Sequence, residues 1–250
     1  MRIYIGMDDT DSRGSEYGTG KVARWLEEAL PGGCRVWGVV RQQLLADERI
    51  PYTSHNSSAC VVVDTPDDSL FERIVAAAAL HVEKHAIPGS DPGLCVCRQD
   101  NGNLSDLMSF SRRCTREVVT QALAMQASRG FHLSAHGGTG DGIIGAAAAV
   151  GLTASGQCGR FIEFGRLRDL GDPVRVSELE ALGITVVSID RQAPLPWPDD
   201  PIHTHGWLRP RLWAGNAILP VQEDPGGGWT CVGRKKNKGG TDHGGQDLLP

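Results

Sequence analysis

The chain has 250 residues, 40% of them apolar, and a formal net charge of −5. That length buries enough surface for one large or two small domains without disulfides. The acidic balance removes any global basic field that would draw in nucleic acid or a membrane, while leaving local basic patches open. The apolar start "MRIYIGMDD" is too short for a secretory leader and "IIGAAAAVGL" too short to span a bilayer, so the expected location is the cytoplasm.

The first strand is expected at Arg2–Met7, followed by an acidic loop and a helix from Gly20 to Leu30 that Pro31-Gly32-Gly33 stops. "CRVWGVVRQQLL" and the apolar run "SSACVVVD" read as strands. "PDDSLFERIVAAAALHVEKH" carries acids in its first turn and basic residues in its last, which suits a helix macrodipole. "LCVCR" is a short strand, and "TREVVTQALAMQASRG" is expected to be a helix ended by Gly130. "FHLSAHGG" is a strand entering a glycine-rich turn, with "IIGAAAAVGL" as the helix behind it. This mixture predicts an α/β (α+β mixed) fold over roughly the first 150 residues.

Beyond it, "GRFIEF" and "ITVVSID" are strands around the small helix "SELEALG", and "APLPWPDDP" is a proline-rich connector. "PRLWAGNAILPV" and "WTCVGRKK" are late strands of a compact second unit. The tail "NKGGTDHGGQDLLP" has little to bury and is expected to be mobile. The seven cysteines (Cys34, Cys60, Cys95, Cys97, Cys114, Cys158, Cys231) form no CxxC pair, so no zinc ribbon or thioredoxin motif is present. Cys95-x-Cys97 with His203-x-His205 has unusual spacing for a metal site, and the cysteines read as small buried hydrophobes.

Asp8, Asp9 and Asp11 crowd the end of the first strand. Two such charges about 5 Å apart repel by roughly 3 kcal/mol at an effective dielectric near 20. A hard divalent cation such as Mg²⁺ relieves that repulsion; an exposed turn capping the next helix is the plainer explanation. Further along, Gly137, Gly138, Thr139, Gly140, Asp141 and Gly142 form a bend between a strand and a helix start, a natural phosphate cradle. No P-loop is present, because Ser15 and Val22 stand at required positions of "SEYGTGKV". Gly140, Gly142 and Gly145 do satisfy the dinucleotide fingerprint, with Glu163 about 20 residues on, which keeps a nicotinamide or flavin oxidoreductase in play. The insert "RIPYTSHNSSA", with Arg41 upstream, suits either a phosphate or base edge or a solvated loop, through Thr53, Ser54, His55, Asn56, Ser57 and Ser58.

Three motifs in this order resemble the archaeal tRNA-isoleucine agmatinylcytidine synthetase (TiaS) family. Gly6-Met7-Asp8-Asp9-Thr10-Asp11-Ser12 is similar to its opening Gly-Ile-Asp-Asp-Thr-Asp-Ser. Arg41, Pro51, Thr53 and Asn56-Ser57-Ser58-Ala59 look like a variant of its Lys-Thr-Arg-Gly-Asn landmark, with two basic residues lost, and "SDPGLCV" is similar to its Pro-Gly segment. Gly140-Asp141-Gly142-Ile143-Ile144-Gly145-Ala146 through Gly151 matches its glycine loop and helix. The likeness is specific over residues 1–170 and weaker through "GRFIEFGRL" and "WLRPRLWAGNAILPV".

The resemblance implies a TiaS-like ATP/Mg-binding kinase domain over 1–155, a ferredoxin-like β-α-β domain over 156–235 and a tail over 236–250, without the family's OB and zinc-ribbon domains. It implies Asp8, Asp9 and Asp11 as catalytic Mg²⁺ ligands and the glycine bend as the ATP-phosphate site. Lys21 or Arg41 is expected to stabilise the remaining phosphate charge, and Arg41, His55, Asn56 and Ser57 to line the substrate. Thr19 lies nearest to a threonine that the family phosphorylates, but the insert "SEY" shifts the register and no phosphorylated threonine is assigned. The expected reaction is ATP-dependent phosphoryl transfer that activates a carbonyl-type oxygen of a small molecule or nucleoside, open to amine attack. An agmatinylcytidine synthetase-type activity on tRNA, a dinucleotide oxidoreductase and a non-catalytic nucleotide- or RNA-binding module remain as alternatives.

Overall fold

The structure, a computed structural model, describes residues 1–53 and 55–233. Ser54 of the polar insert, the lysines of "GRKKNKGG" and the tail expected over 236–250 lie outside the described residues. In chain order the elements are β1 (Arg2–Asp8), α1 (Thr19–Trp25), β2 (Arg35–Gln43), β3 (Ser57–Asp64), α2 (Phe71–His85), β4 (Gly93–Arg98), α3 (Leu104–Arg113), α4 (Gln121–Ala127), β5 (His132–Ala135) and α5 (Gly142–Ala154). There follow β6 (Arg160–Glu163), β7 (Val174–Arg175), α6 (Val176–Ala181), β8 (Ile184–Ser188), β9 (Pro201–His203), β10 (Arg211–Trp213), β11 (Asn216–Glu223) and β12 (Trp229–Cys231).

The strands join in one mixed sheet, ordered β5-β4-β1-β3-β2-β6-β10-β11-β12-β9-β7, with β8 pairing β11. β1 lies between β3 and β4 and runs antiparallel to both. Its side chains alternate. Ile3, Ile5 and Met7 pack with Val22, Leu26, Ile74 and Val82 of the α1–α2 layer. Tyr4 faces the other way, toward Ala146, Val150 and Leu107 of the α5–α3 layer. Both faces are covered, so β3 runs apolar without a polar face, Ala59 to Val63 being buried. The site at the end of β1 therefore belongs to a largely antiparallel sheet. The rule for parallel open sheets, which places ligands at strand carboxyl ends, does not account for it.

Helix α5 sits on the sheet at backbone distance. A Cβ at Gly6 of β1 would run into Ala146 O, and one at Gly93 into Gly142. The small residues "GIIGAAAAVG" exist to allow that approach, and they bring the start of α5 directly over the end of β1. A third apolar cluster, with Phe161, Leu179, Ile184, Leu212, Leu219 and Trp229, is built mostly from β6 to β12 and α6 and takes in Val40 of β2.

The elements differ from expectation in three places. The helix expected through Thr115–Gly130 is confined to Gln121–Ala127, because the Thr120 hydroxyl accepts the Leu123 N–H at 3.4 Å and starts it there. α3 precedes it, burying Leu107 and Phe110 from a segment too polar to read as a core helix. The dinucleotide fingerprint is the third. It requires a parallel strand–helix–strand unit, but β5 and β6 flank α5 from opposite ends of the β5-β4-β1-β3-β2-β6 order. Gly140, Gly142 and Gly145 thus lack the context of a dinucleotide site.

Candidate functional site: a cleft lined by aspartates and arginines

β1 delivers Asp8 to its last position and hands the chain to a tight loop. Asp8 rests against the first turn of α5, in space that exists only because Gly145 has no Cβ. Burial, followed by the Asp9 and Asp11 charges, pushes the Asp8 carboxyl up to about 7, offset in part by the Asp9 N–H. Asp9 holds a left-handed backbone at φ 50°, a conformation that costs an L residue about 1 kcal/mol and persists where surrounding contacts demand it. Those contacts are Asp91 N–H to Asp9 O at 3.2 Å and Ile87 N–H to Thr10 O at 2.9 Å. Burial and then Asp91, Asp11 and Asp141 push the Asp9 carboxyl up to about 6.

Asp11 is turned to a different task. It accepts from Thr19 N at 3.3 Å, from Thr19 Oγ1 at 3.2 Å and from Thr53 Oγ1 at 3.2 Å. Thr19 Oγ1 in turn accepts from Thr10 N at 3.3 Å and Thr10 Oγ1 at 3.1 Å. Thr19, the first residue of α1, is thereby the buried hub that fastens the aspartate loop to that helix.

The glycine bend holds an anion of the protein's own. Asp91 accepts the N–H groups of Thr139 (3.1 Å), Gly140 (2.7 Å) and Asp141 (3.1 Å), and the Thr139 hydroxyl at 2.6 Å. Burial opposes ionisation of Asp91, but these hydrogen bonds outweigh it and bring the carboxyl below its ordinary value. Gln121 Nε2 donates to Asp141 Oδ1 at 2.7 Å and to Thr139 O at 3.0 Å. Three N–H groups that the sequence offers to a phosphate are therefore committed to Asp91. Thr139, Asp141 and Gly142 still line the adjoining cleft; Gly137, Gly138 and Gly140 do not.

The aspartate loop and the glycine bend share this cleft, about 1950 Å³ in volume, which Arg41, Arg160, Arg209 and Arg211 also line. Arg41 on β2 is in register with Arg160 on β6, and Arg160 with Arg211 on β10. Burial, then the Arg160 charge, holds the Arg41 guanidinium below its ordinary value. Arg209 is brought down to about 10 by burial and the neighbouring Arg168 and Arg24 charges. The guanidinium of Arg209 lies 5.0 Å from the Trp207 ring and that of Arg211 5.1 Å from the Trp213 ring. His55, Asn56 and Ser57 also line the cleft. Asn56 serves structure, however: its Nδ2 donates to Leu45 O at 2.6 Å and its carbonyl accepts from Leu44 N and Gln43 Nε2.

Lys21 is exposed, lies outside the cleft lining, and holds its ammonium 5.2 Å from the Trp25 ring and 5.9 Å from the Tyr17 ring. Two residues along a helix turn a side chain by about 200°, so Thr19 and Lys21 cannot both face the cleft. Arg160, Arg209, Arg211, Trp207 and Trp213 were missed in the sequence, although the period-two symmetry of "WLRPRLW" carries the signal: Leu208, Pro210 and Leu212 are buried and the residues between them face the cleft.

Among the described residues no three His, Cys, Asp or Glu side chains converge as a metal-holding group. Asp11 is occupied by threonines and Asp91 by the bend, which leaves Asp8 and Asp9, both half-buried with raised pKa values. Two carboxylates are a fitting donor set for Mg²⁺, a hard cation that takes oxygen ligands.

No family model matches the chain, and no curated protein matches it. Solved structures do. A tRNA fluorescent labelling enzyme shares 27% identity at a TM-score of 0.51, over 60% of this chain and 36% of that one. The complex of TiaS with its isoleucine tRNA and ATP shares 28% at 0.51, over 60% and 36%. The fold is TiaS-like. Apo TiaS, a tRNA agmatidine synthetase, gives 25% and 0.50, over 60% and 35%. The chain thus spans little more than a third of the TiaS structures that it matches. Among the described residues no helix is long and apolar enough to cross a membrane.

Proposed function

We propose that the cleft transfers a phosphoryl group from ATP to a carbonyl-type oxygen of an acceptor, with Mg²⁺ required. The observation that carries this is that Asp8 and Asp9, two aspartates with raised pKa values, line the same cleft as Arg41, Arg160, Arg209 and Arg211. Phosphoryl transfer asks the protein mainly to position the reactants and neutralise charge, and a cleft with both signs suits it. The TiaS structures bound to ATP and tRNA add weight to a nucleotide-using, RNA-modifying type of chemistry.

Asp8 and Asp9 are the residues that would hold magnesium, which when bound would supply charge neutralisation for the phosphates. Asp11 orients Thr19 and the α1 N-terminus rather than serving as a third ligand. Arg41 and the neighbouring arginines of the cleft balance the phosphate charge that Lys21 is too far round the helix to reach. The acceptor oxygen takes the phosphoryl group, and ADP leaves; an incoming amine then displaces the phosphate. The same reading takes 1–155 as the nucleotide unit and 156–235 as a ferredoxin-like unit. The third apolar cluster, drawn mostly from 156–235, supports that division, while it also takes in Val40, the first cluster takes in Ile162, and the β2–β6 pairing joins the two in one sheet.

The test is calorimetric titration of ATP with and without Mg²⁺ on the full chain, paired with ADP, AMP and phosphate detection over an acceptor screen. The expected result is Mg²⁺-dependent binding that Asp8→Asn and Asp9→Asn each abolish, with ADP formed in the presence of acceptor. Unchanged ATP affinity in both variants defeats the assignment. Binding without turnover across the screen favours a non-catalytic nucleotide-binding module.

A further inference from the structure

Strand β5 ends the order of the sheet and pairs with β4. Its residues His132 and Ser134 stand opposite Val96 and Leu94, and the His136 N–H donates to Pro92 O at 2.8 Å. Val96 and Leu94 are buried in the apolar cluster of the α1–α2 layer. On the same face β5 carries His132, Ser134 and His136 instead. All three lie outside the lining of the cleft described above.

Four side chains join there in one chain of hydrogen bonds. His132 Nε2 lies 2.9 Å from Ser134 Oγ, Ser134 Oγ lies 2.8 Å from His136 Nε2, and His136 Nδ1 lies 3.0 Å from Glu83 Oε1 on α2. The direction of each bond follows from the far end. A carboxylate only accepts, so His136 Nδ1 carries the hydrogen and its Nε2 offers a lone pair. The Ser134 hydroxyl donates to that lone pair, and its oxygen is left to accept from His132 Nε2. Burial, followed by the His136 charge, holds His132 below its ordinary value, which favours a neutral imidazole with one hydrogen to give.

Packing accounts for only one of these bonds. The His136–Glu83 contact ties β5 to α2, whereas both bonds at Ser134 run within β5 and fasten it to nothing. A serine proton aimed at an imidazole that a carboxylate orients is, by contrast, the arrangement that makes an alcohol nucleophilic. Exposure agrees with that use. The His136 side chain is 8% exposed, which shields the base from water, while Ser134 is half-buried and open to a small reagent.

The surroundings narrow the substrate. Glu72 acts on His132 as Glu83 does on His136. The two glutamates are separated by about three turns of α2 and share one face of it, with Ala76 and Ala79 at helical spacing between them. An anionic ester arriving at Ser134 meets a carboxylate at either end of the group. An uncharged acyl carbonyl meets no such repulsion, and the alanine methyls suit a small one.

We propose that Ser134 is the nucleophile of a second active site that cleaves small uncharged carboxylic esters, with His136 as general base, His132 as donor to the oxyanion and Glu83 as the positioning residue. The site stands apart from the ATP reading of the cleft. Ser134 Oγ bonds to the carbonyl carbon while its proton passes to His136 Nε2. The carbonyl oxygen, now an anion, takes the His132 Nε2 hydrogen bond. The bond from carbon to the alcohol oxygen breaks, and the leaving alkoxide takes the proton from His136 Nε2. Water then attacks the acyl-serine, giving a proton to His136 Nε2, which returns it to Ser134 Oγ as the carboxylic acid leaves.

The experiment exposes the full chain to p-nitrophenyl acetate and, separately, to an uncharged fluorophosphonate that captures activated serines. Absorbance follows p-nitrophenol, and peptide mass spectrometry locates the modified residue. Acetyl and phosphonyl groups are expected on Ser134, with more than one equivalent of p-nitrophenol released. Ser134→Ala and His136→Gln are expected to lose both label and turnover. The Glu83 side chain is 58% exposed, so Glu83→Gln spares the fold; it is expected to slow both reactions at least about tenfold. His132→Phe removes a donor to the oxyanion and is expected to slow turnover by about 10²–10³.

A wild-type chain that takes neither group, or takes them at another residue, overturns the proposal without any variant having to fold. Labelling of Ser134 at an unchanged rate in both His136→Gln and Glu83→Gln also overturns it, because a merely structural tie leaves the reactivity of the serine unmoved. Phosphonyl label on Ser134 with no release of p-nitrophenol overturns the ester as the substrate class.

Discussion

Asp91 Oδ1 accepts the backbone N–H of Gly140 at 2.7 Å, and with Oδ2 on Thr139 and Asp141 the carboxylate fills the glycine bend. The bend is therefore shaped by a side chain 48 to 50 residues away.

Asp91→Ala leaves three N–H donors without that acceptor. The expected cost is about 1–3 kcal/mol in unfolding free energy, read by denaturant titration at neutral pH, with Asp91→Asn intermediate. The Asp91 carboxyl lies below its ordinary value in the folded state. Its contribution is present above the unfolded-state pKa and fades as pH falls through the folded one. The difference between wild type and Asp91→Ala should shrink in acid; a difference independent of pH refutes the ionic role.

Asp8 shows the opposite sign. Its folded pKa is raised to about 7, so between its ordinary value near 4 and about 7 the folded state holds the proton that the unfolded state has lost. The Asp8 contribution to stability then falls as pH rises through that interval. Asp8→Asn is expected to melt higher than wild type near pH 7 and to converge with it near pH 4. Parallel melting curves across that range exclude the buried charge.

Thr19 joins Asp11 to Thr10 through one hydroxyl. Thr19→Val keeps the volume and removes the hydroxyl, with an expected loss of about 1–3 kcal/mol and lowered ATP turnover. Thr19→Ser is expected to restore both. Equal behaviour of Val and Ser variants shows that the hydroxyl has no part in holding the loop.

Lys21 and Arg41 separate the two readings of where the cationic help comes from. Lys21 is exposed over Trp25 and Tyr17, so Lys21→Ala should change ATP turnover by no more than about twofold, the range of an ordinary surface substitution of about 0.5 kcal/mol. Arg41 lines the cleft beside Arg160. Removing it should weaken phosphate-bearing ligands at least about tenfold, or roughly 1.4 kcal/mol. The reverse ranking, measured in the same ATP titration, returns the role to Lys21.

Much of this molecule was legible residue by residue. The apolar run ending in Asp8-Asp9-Thr10-Asp11 announced a buried strand that opens into a crowded acidic loop, because strand burial and charge repulsion are local properties. The glycines before Ala146 read as a phosphate cradle, yet Gly142 and Gly145 serve the close approach of α5 to Gly93 and Asp8. The polar insert was harder. Asn56 proved to close the β2–β3 connection with its amide and carbonyl, a use no different in sequence from binding a ligand.

Tertiary structure alone decided the rest. Which anion fills the glycine bend, which cations share a row and which side of α1 meets the cleft all depend on register and on helix rotation. Those are set by the burial of Ile3, Val61, Ala146 and Leu212 rather than by the polar residues themselves. Arg41, Arg160 and Arg211 lie far apart along the chain and become neighbours only when β6 is inserted between β2 and β10. Local propensity carries no record of such pairings. They follow from how the two-sided apolar strands must stack to exclude water.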